Sequence, residues 1–149
     1  MSLPNPTTRL KIWTGISLSI FALLQLTSCS SKHEFLVSSV EPAARGYAKV
    51  NRDKNENYLI HLNVEYLAES ERLDPPRETY VVWLDTKEKE PKNIGQIHHD
   101  KHSEAKNLKF SFETVSVYDP VRIYITAEND AAVSEPNEPI ILSTGKIKS

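Results

Sequence analysis

The densest gathering of potential metal ligands in this chain is His98-His99-Asp100-Lys101-His102. Imidazole with carboxylate suits zinc, nickel or copper. Lys101 in the middle repels a cation, however, and neighbouring histidines on a strand point to opposite faces, so only a turn would make them converge. The segment falls between apolar stretches at Ile97 and Leu108 and reads as an exposed connection. A periplasmic carrier of metal or small ligands built on His98-His102 is therefore the second reading, and the expectation is no bound metal. His61 alternates with apolar positions and reads as a wet-face residue. Glu65, Asp85 and Glu128 stand near strand ends where carboxylates could pair, but nothing in their spacing selects them; they read as solvated caps. The sequence contains no Gly-x-Ser-x-Gly elbow, no His-Glu-x-x-His helix and no Gly-rich phosphate loop. No catalytic set and no cofactor are expected.

The sharper signal is Leu26-Thr27-Ser28-Cys29, an aliphatic residue and two small residues in front of the chain's one cysteine. This is the pattern of a lipobox. Small side chains admit the processing peptidase to the backbone, and the thiol is the nucleophile that accepts diacylglycerol. Upstream, Arg9 and Lys11 precede an apolar run from Ile12 through Leu24, the order of a secretory signal. That run is shorter than the roughly 20 residues a spanning helix needs. The sequence thus predicts a helical signal peptide over 1–28, a lipidated Cys29 with a polar tether to residue 34, and one domain over 35–149. A lone cysteine also leaves no intrachain disulfide.

With 39% hydrophobic and 26% charged residues the chain has the composition of a folded protein rather than a disordered one. Removing Arg9 and Lys11 with the signal leaves 16 Lys plus Arg against 20 Asp plus Glu, a formal balance of −4. That sign argues against nucleic acid and against electrostatic attraction to anionic lipid. The predicted membrane partner is then held by acyl chains, each buried methylene contributing about 0.8 kcal/mol. Ser30 stands where many inner-membrane lipoproteins carry a retaining Asp, which by resemblance to enterobacterial sorting favours the outer membrane, facing the periplasm. An envelope protein is the other partner the reading allows.

The elements that would position these groups are strands. Tyr58, Ile60, Leu62, Val64 and Tyr66 alternate with His61, Asn63 and Glu65; Leu108, Phe110 and Phe112 alternate with Lys109, Ser111 and Glu113; Val121, Ile123 and Ile125 alternate with Arg122, Tyr124 and Thr126. Period two predicts strands with one wet face. Thr79 to Leu84 is β-branched and aromatic throughout, as for a central strand covered on both faces. Ile94 to Ile97, Ile140 to Leu142, Phe35 to Val40 and Gly46 to Val50 complete about eight strands, and Leu67 to Leu73 is the one short helical candidate before Pro75-Pro76. Turn-linked strands without helices predict an all-β, antiparallel β-sandwich. Lys87-Glu88-Lys89-Glu90 reads as a soluble hairpin loop. The six tyrosines read as core and rim, with an aromatic binding face as the alternative.

Tyr80-Val81-Val82-Trp83-Leu84, the start Asn93-Ile94-Gly95, the strand Ile123-Tyr124-Ile125-Thr126-Ala127-Glu128, a loop through Pro136 and the ending Pro139-Ile140-Ile141-Leu142 with Gly145 occur in that order. The segment from about Tyr58 to Gly145 resembles the C-terminal, extracytoplasmic domain of anti-sigma-K factors. The resemblance implies a sensor-like sandwich. It does not imply sigma-factor binding, because the cytoplasmic helical domain and the membrane helix of that family have no counterpart here and a lipid-anchored domain would not meet a cytoplasmic partner. On physical grounds alone, Trp83 predicts a filler of a sheet interior whose indole N–H needs an acceptor. Gly95 predicts a bulge or a close backbone approach, and Gly145 a strand end that uses backbone freedom.

Overall fold

The computed structural model describes residues 31–88, 90–97, 109–137 and 139–148. The described strands are β1 (Ser31–Glu34), β2 (Arg45–Arg52), β3 (Tyr58–Glu65), β4 (Thr79–Asp85), β5 (Lys92–Ile97), β6 (Lys109–Ser116), β7 (Arg122–Glu128) and β8 (Ile140–Ser143). They form two four-stranded sheets, ordered β1-β2-β3-β6 and β5-β4-β7-β8, with every pairing antiparallel. The all-β, antiparallel sandwich expected from the alternation is what the chain forms. The chain crosses between the sheets after β3, β5 and β6, so that strands distant in sequence pair, β3 with β6 at the edge of the first sheet and β4 with β7 at the centre of the second.

Alternation explains the first sheet. Ile60, Leu62 and Val64 of β3, Ala48 and Val50 of β2 and Phe110 of β6 are buried on its inner face. Opposite them lie Tyr80, Val82, Leu84, Ile123, Ile125 and Leu142 of the second sheet, in one continuous core. Each large aliphatic side chain buried this way contributes about 1.5–3 kcal/mol. The outer face of the first sheet keeps Lys49, Ser111 and Glu113 in solvent.

The second sheet is covered on both faces. Val81, Trp83 and Tyr124 form a separate buried cluster on its outside, with Val133 and Ile140 packed against it. Trp83 is therefore not a filler between the sheets but the centre of a smaller core beneath the connection from Glu128 to Ile140. Its ring stacks on Tyr124, centroids 6.5 Å apart. The same cover corrects the expected wet face of β7: Tyr124 and Thr126 are buried as completely as their inward neighbours.

Four local expectations change. Ser31–Glu34, read as tether, is β1, paired with β2 from Ser31 opposite Val50 to Glu34 opposite Tyr47. Beyond it the strand expected over Phe35 to Val40 is limited to a single bridge, Phe35 to Thr144. Tyr66, placed with the inward set of β3, instead has φ of 57° and turns out into solvent. The helical candidate shrinks to one 3-10 turn, Ser70–Arg72. Gly95 behaves as its type suggests: the register slips between Val82 and Trp83 opposite it, and a Cβ there would stand 2.8 Å from the Phe112 ring. A Cβ on Gly145 would meet nothing within 4 Å, so no close approach requires a glycine there.

Candidate functional site

The three strand-end carboxylates have distinct fates. Glu65 lies 3.0 Å from Lys109 and 3.9 Å from Arg45 across neighbouring strands. Asp85 accepts from Arg122 Nε at 2.8 Å, and the same guanidinium covers the Tyr124 ring. Both are engaged by basic side chains on a neighbouring strand. Glu128 is different: it is fully buried, not a solvated cap.

A continuous chain of hydrogen bonds accounts for that burial. Trp83 Nε1 donates to Thr126 Oγ1 at 2.8 Å, and Thr126 Oγ1 donates onward to Glu128 Oε1 at 2.5 Å. From the other side Asn137 donates its backbone N–H to Oε1 at 2.9 Å and its Nδ2 to Oε2 at 2.5 Å. Period two in β7 puts Tyr124, Thr126 and Glu128 on one face, and the chain after β7 folds back over it. Asn93 in β5 clasps the same loop, donating to the carbonyls of Ala131 at 2.9 Å and Val133 at 3.1 Å. With both oxygens occupied by donors, Glu128 holds the loop against the sheet. The arrangement is a latch.

Histidines offer little more. His61 Nδ1 lies 3.4 Å from Glu113 on the wet face, as its alternation suggests. Among the described residues no group of three or more His, Cys, Asp or Glu side chains is placed to hold a metal. The His98-His102 cluster and Cys29, with its signal segment, lie outside the described residues. The hairpin loop at Lys87 and Glu88 is exposed as expected, its charges paired with Asp119 at 2.9 Å and Lys92 at 3.0 Å.

The tyrosines divide between core and rim. Tyr80 is buried and donates its hydroxyl to the Ala68 carbonyl at 3.0 Å. Burial, reinforced by the negative charges of Glu41 and Glu71, raises its pKa above the ordinary phenol value. Tyr47, Tyr66 and Tyr118 lie towards solvent while Tyr58 packs half-buried against the core, each beneath a Lys or Arg 4.2–5.3 Å from the ring centroid.

One surface feature escaped the sequence reading. Between β1 and β2 the chain makes a turn in which the Ser38 hydroxyl accepts the N–H groups of Val40 at 3.2 Å and Glu41 at 2.9 Å, and Ala44 N–H bonds back to the Glu41 carbonyl at 2.9 Å. Leu36 N–H is fixed to the Ser143 carbonyl at 2.8 Å. These bonds hold Leu36 and Val37 outward at 60% and 88% exposure, beside Tyr66. With Pro42, Ala43 and Arg45 they line an open hollow of about 440 Å³. Arg45 lies 4.5 Å above the Tyr66 ring. The signal in the sequence was the run Phe35-Leu36-Val37, but it reads equally as a strand.

No protein-family model, curated protein or solved structure matches this chain. The segments Tyr80–Leu84, Asn93–Gly95 and Ile123–Glu128 lie in β4, β5 and β7 of the second sheet, and Ile140–Leu142 lies in β8 beside them.

Proposed function

We propose that this chain is a lipid-anchored, non-enzymatic binding module of the bacterial cell envelope, held in the outer membrane by acyl chains on Cys29 and facing the periplasm. The lipobox and the preceding signal support the anchor. The observation that carries the binding role is the rim patch of Leu36, Val37 and Tyr66, apolar and exposed on a hydrogen-bonded turn. Contiguous apolar surface on a fixed backbone marks interaction sites, because little conformational freedom is lost when a partner covers it. Tyr66 adds to this: a non-glycine residue held at positive φ keeps a ring at the rim that the period of β3 would have turned inward.

The occupant in this reading is an envelope protein. Sigma-factor binding is not part of it, and the resemblance to the anti-sigma-K domain contributes only the idea of a sensor-like sandwich. The lipidated protein, cross-linked in envelopes and solubilised, is compared with a Val37→Asp, Tyr66→Ala variant anchored equally well. A partner that co-purifies with the wild type and is lost with the variant supports the reading. The same proteins recovered with both, or none with either, contradicts it.

A further inference from the structure

The point where the chain enters the fold determines which end of the sandwich meets the membrane. Ser31 is paired from the first residue of β1, opposite Val50, and its hydroxyl donates to the Val50 carbonyl at 3.2 Å. It shares a shallow hollow with Arg52, Tyr58, Asp119, Pro120, Ile147 and Lys148. These residues belong to the β2–β3 hairpin, the β6–β7 connection and the C-terminal segment, so the entry lies at the end of the sandwich opposite the Leu36–Tyr66 patch. From Cys29 to Ser31 is two residue steps, at most about 7 Å of fully extended chain. Because the expected tether is a strand, no slack remains beyond Ser30.

The same end carries an apolar tip. Val115 and Val117 are 59% and 72% exposed, and Tyr118 beside them is 39% exposed. A phenol beside aliphatic side chains, its ring 5.3 Å from the Lys92 ammonium, suits the headgroup level of a bilayer, where ring and cation are both at home. Local partners already engage several acids here: Asp53 accepts from the N–H groups of Asn55 at 2.7 Å and Asn57 at 2.8 Å, Asp119 pairs with Lys87 at 2.9 Å and Glu88 with Lys92 at 3.0 Å. Of the described charges without an ion-pair partner at this end, Arg52, Lys54, Lys146 and Lys148 stand against Asp53, Glu56 and Glu90, a near balance. Apolar contact, not net charge, is then what this end offers a bilayer, in keeping with the overall acidity of the mature chain.

We infer that the domain stands end-on, with Val117 and Tyr118 entering the interface of the bilayer that holds the Cys29 acyl chains and the Leu36–Val37–Tyr66 patch displayed away from it. The inference rests on lipidation of Cys29. β2 has eight residues, and at about 3.3 Å per residue it separates the two ends by roughly 26 Å. That distance keeps the far patch clear of lipid and open to the periplasm.

The test uses the full-length lipidated protein in vesicles of phosphatidylethanolamine and phosphatidylglycerol, with a nitroxide on Val117→Cys or on Val37→Cys. Lipidation consumes the thiol of Cys29, so each label is unique. The expected result is a label at 117 shielded from a water-soluble nickel reagent, within the roughly 5–10 Å that interfacial side chains penetrate, and a label at 37 with full access. Equal access at both positions, or shielding at 37 alone, overturns the orientation. Shielding at 117 that persists without vesicles reports a second copy of the chain and also overturns it. Intact mass of the same sample separates the two claims: absence of lipid defeats the anchor reading itself, whereas lipid present with equal access defeats only the orientation.

Discussion

The two sheets are built from strands of similar length but use their outer faces in opposite ways. In the first, β3 presents His61 and Asn63 to solvent on one side and buries Ile60, Leu62 and Val64 on the other. In the second, β4 is buried from Tyr80 through Leu84 without interruption, because the connection after β7 lies across it. A half-wet sheet is held from one side and tolerates change on the other. A sheet covered twice depends on a loop, and the loop depends on the Glu128 latch.

Substitutions on the two outer faces should therefore have unequal consequences. The largest effect is expected from Trp83→Ala, which empties the outer cluster and removes the donor to Thr126; a loss of about 3–5 kcal/mol in urea unfolding is the outcome for a buried tryptophan. A loss below about 1 kcal/mol would mean that the outer cluster is not a core. Asn137→Ala comes next. It takes one of the donors from the buried Glu128 side chain, and leaving a buried acceptor unsatisfied costs about 1–3 kcal/mol. Hydrogen exchange should then quicken over residues 129–137 and stay unchanged in β2 and β3; uniform acceleration would show that the latch is not local.

Tyr80 gives a smaller effect confined to alkaline solution. Its folded pKa is raised by burial first, and by Glu41 and Glu71 second. The unfolded phenol ionises near about 10 while the folded one keeps its proton. Its contribution is complete below that value and is lost as the pH rises towards the folded pKa. The urea midpoint should fall above about pH 10 in the wild type and less steeply in Tyr80→Phe; parallel slopes would contradict the assignment. The smallest effect belongs to the wet face of the first sheet. His61→Ala, which removes an exposed contact with Glu113, should change stability by no more than about 0.5 kcal/mol.

The same contrast explains what the amino-acid order reveals. Where one face is wet, period two is visible, and β2, β3 and β6 are legible from their side chains alone. β4 is legible for the opposite reason, as an unbroken β-branched and aromatic run. β7 was misread because Tyr124 and Thr126 look like wet-face residues, and only the returning loop makes them interior. That loop is polar in sequence, and its hold on the sheet comes from Asn93, Glu128 and Asn137, whose spacing along the chain encodes nothing about their meeting. β1 was missed for a related reason: Ser31-Lys32-His33-Glu34 is held by its backbone to β2, which leaves no apolar trace. Tyr66 continues the period of β3 in sequence and leaves it in space because the backbone turns left-handed at that residue. Of the candidate sites, the proposed lipobox is carried entirely by local sequence, whereas the apolar rim needs Leu36, Val37 and Tyr66 brought together from two connections.

The proposed anchor places this fold at a membrane, and metabolic labelling with radioactive palmitate tests it most directly. The wild-type chain should take up label and, after extraction, begin at Cys29 with the mass of its acyl groups, while Cys29→Ser should remain unprocessed and unlabelled. Label retained by Cys29→Ser, or a wild-type protein that carries no lipid, would contradict the account.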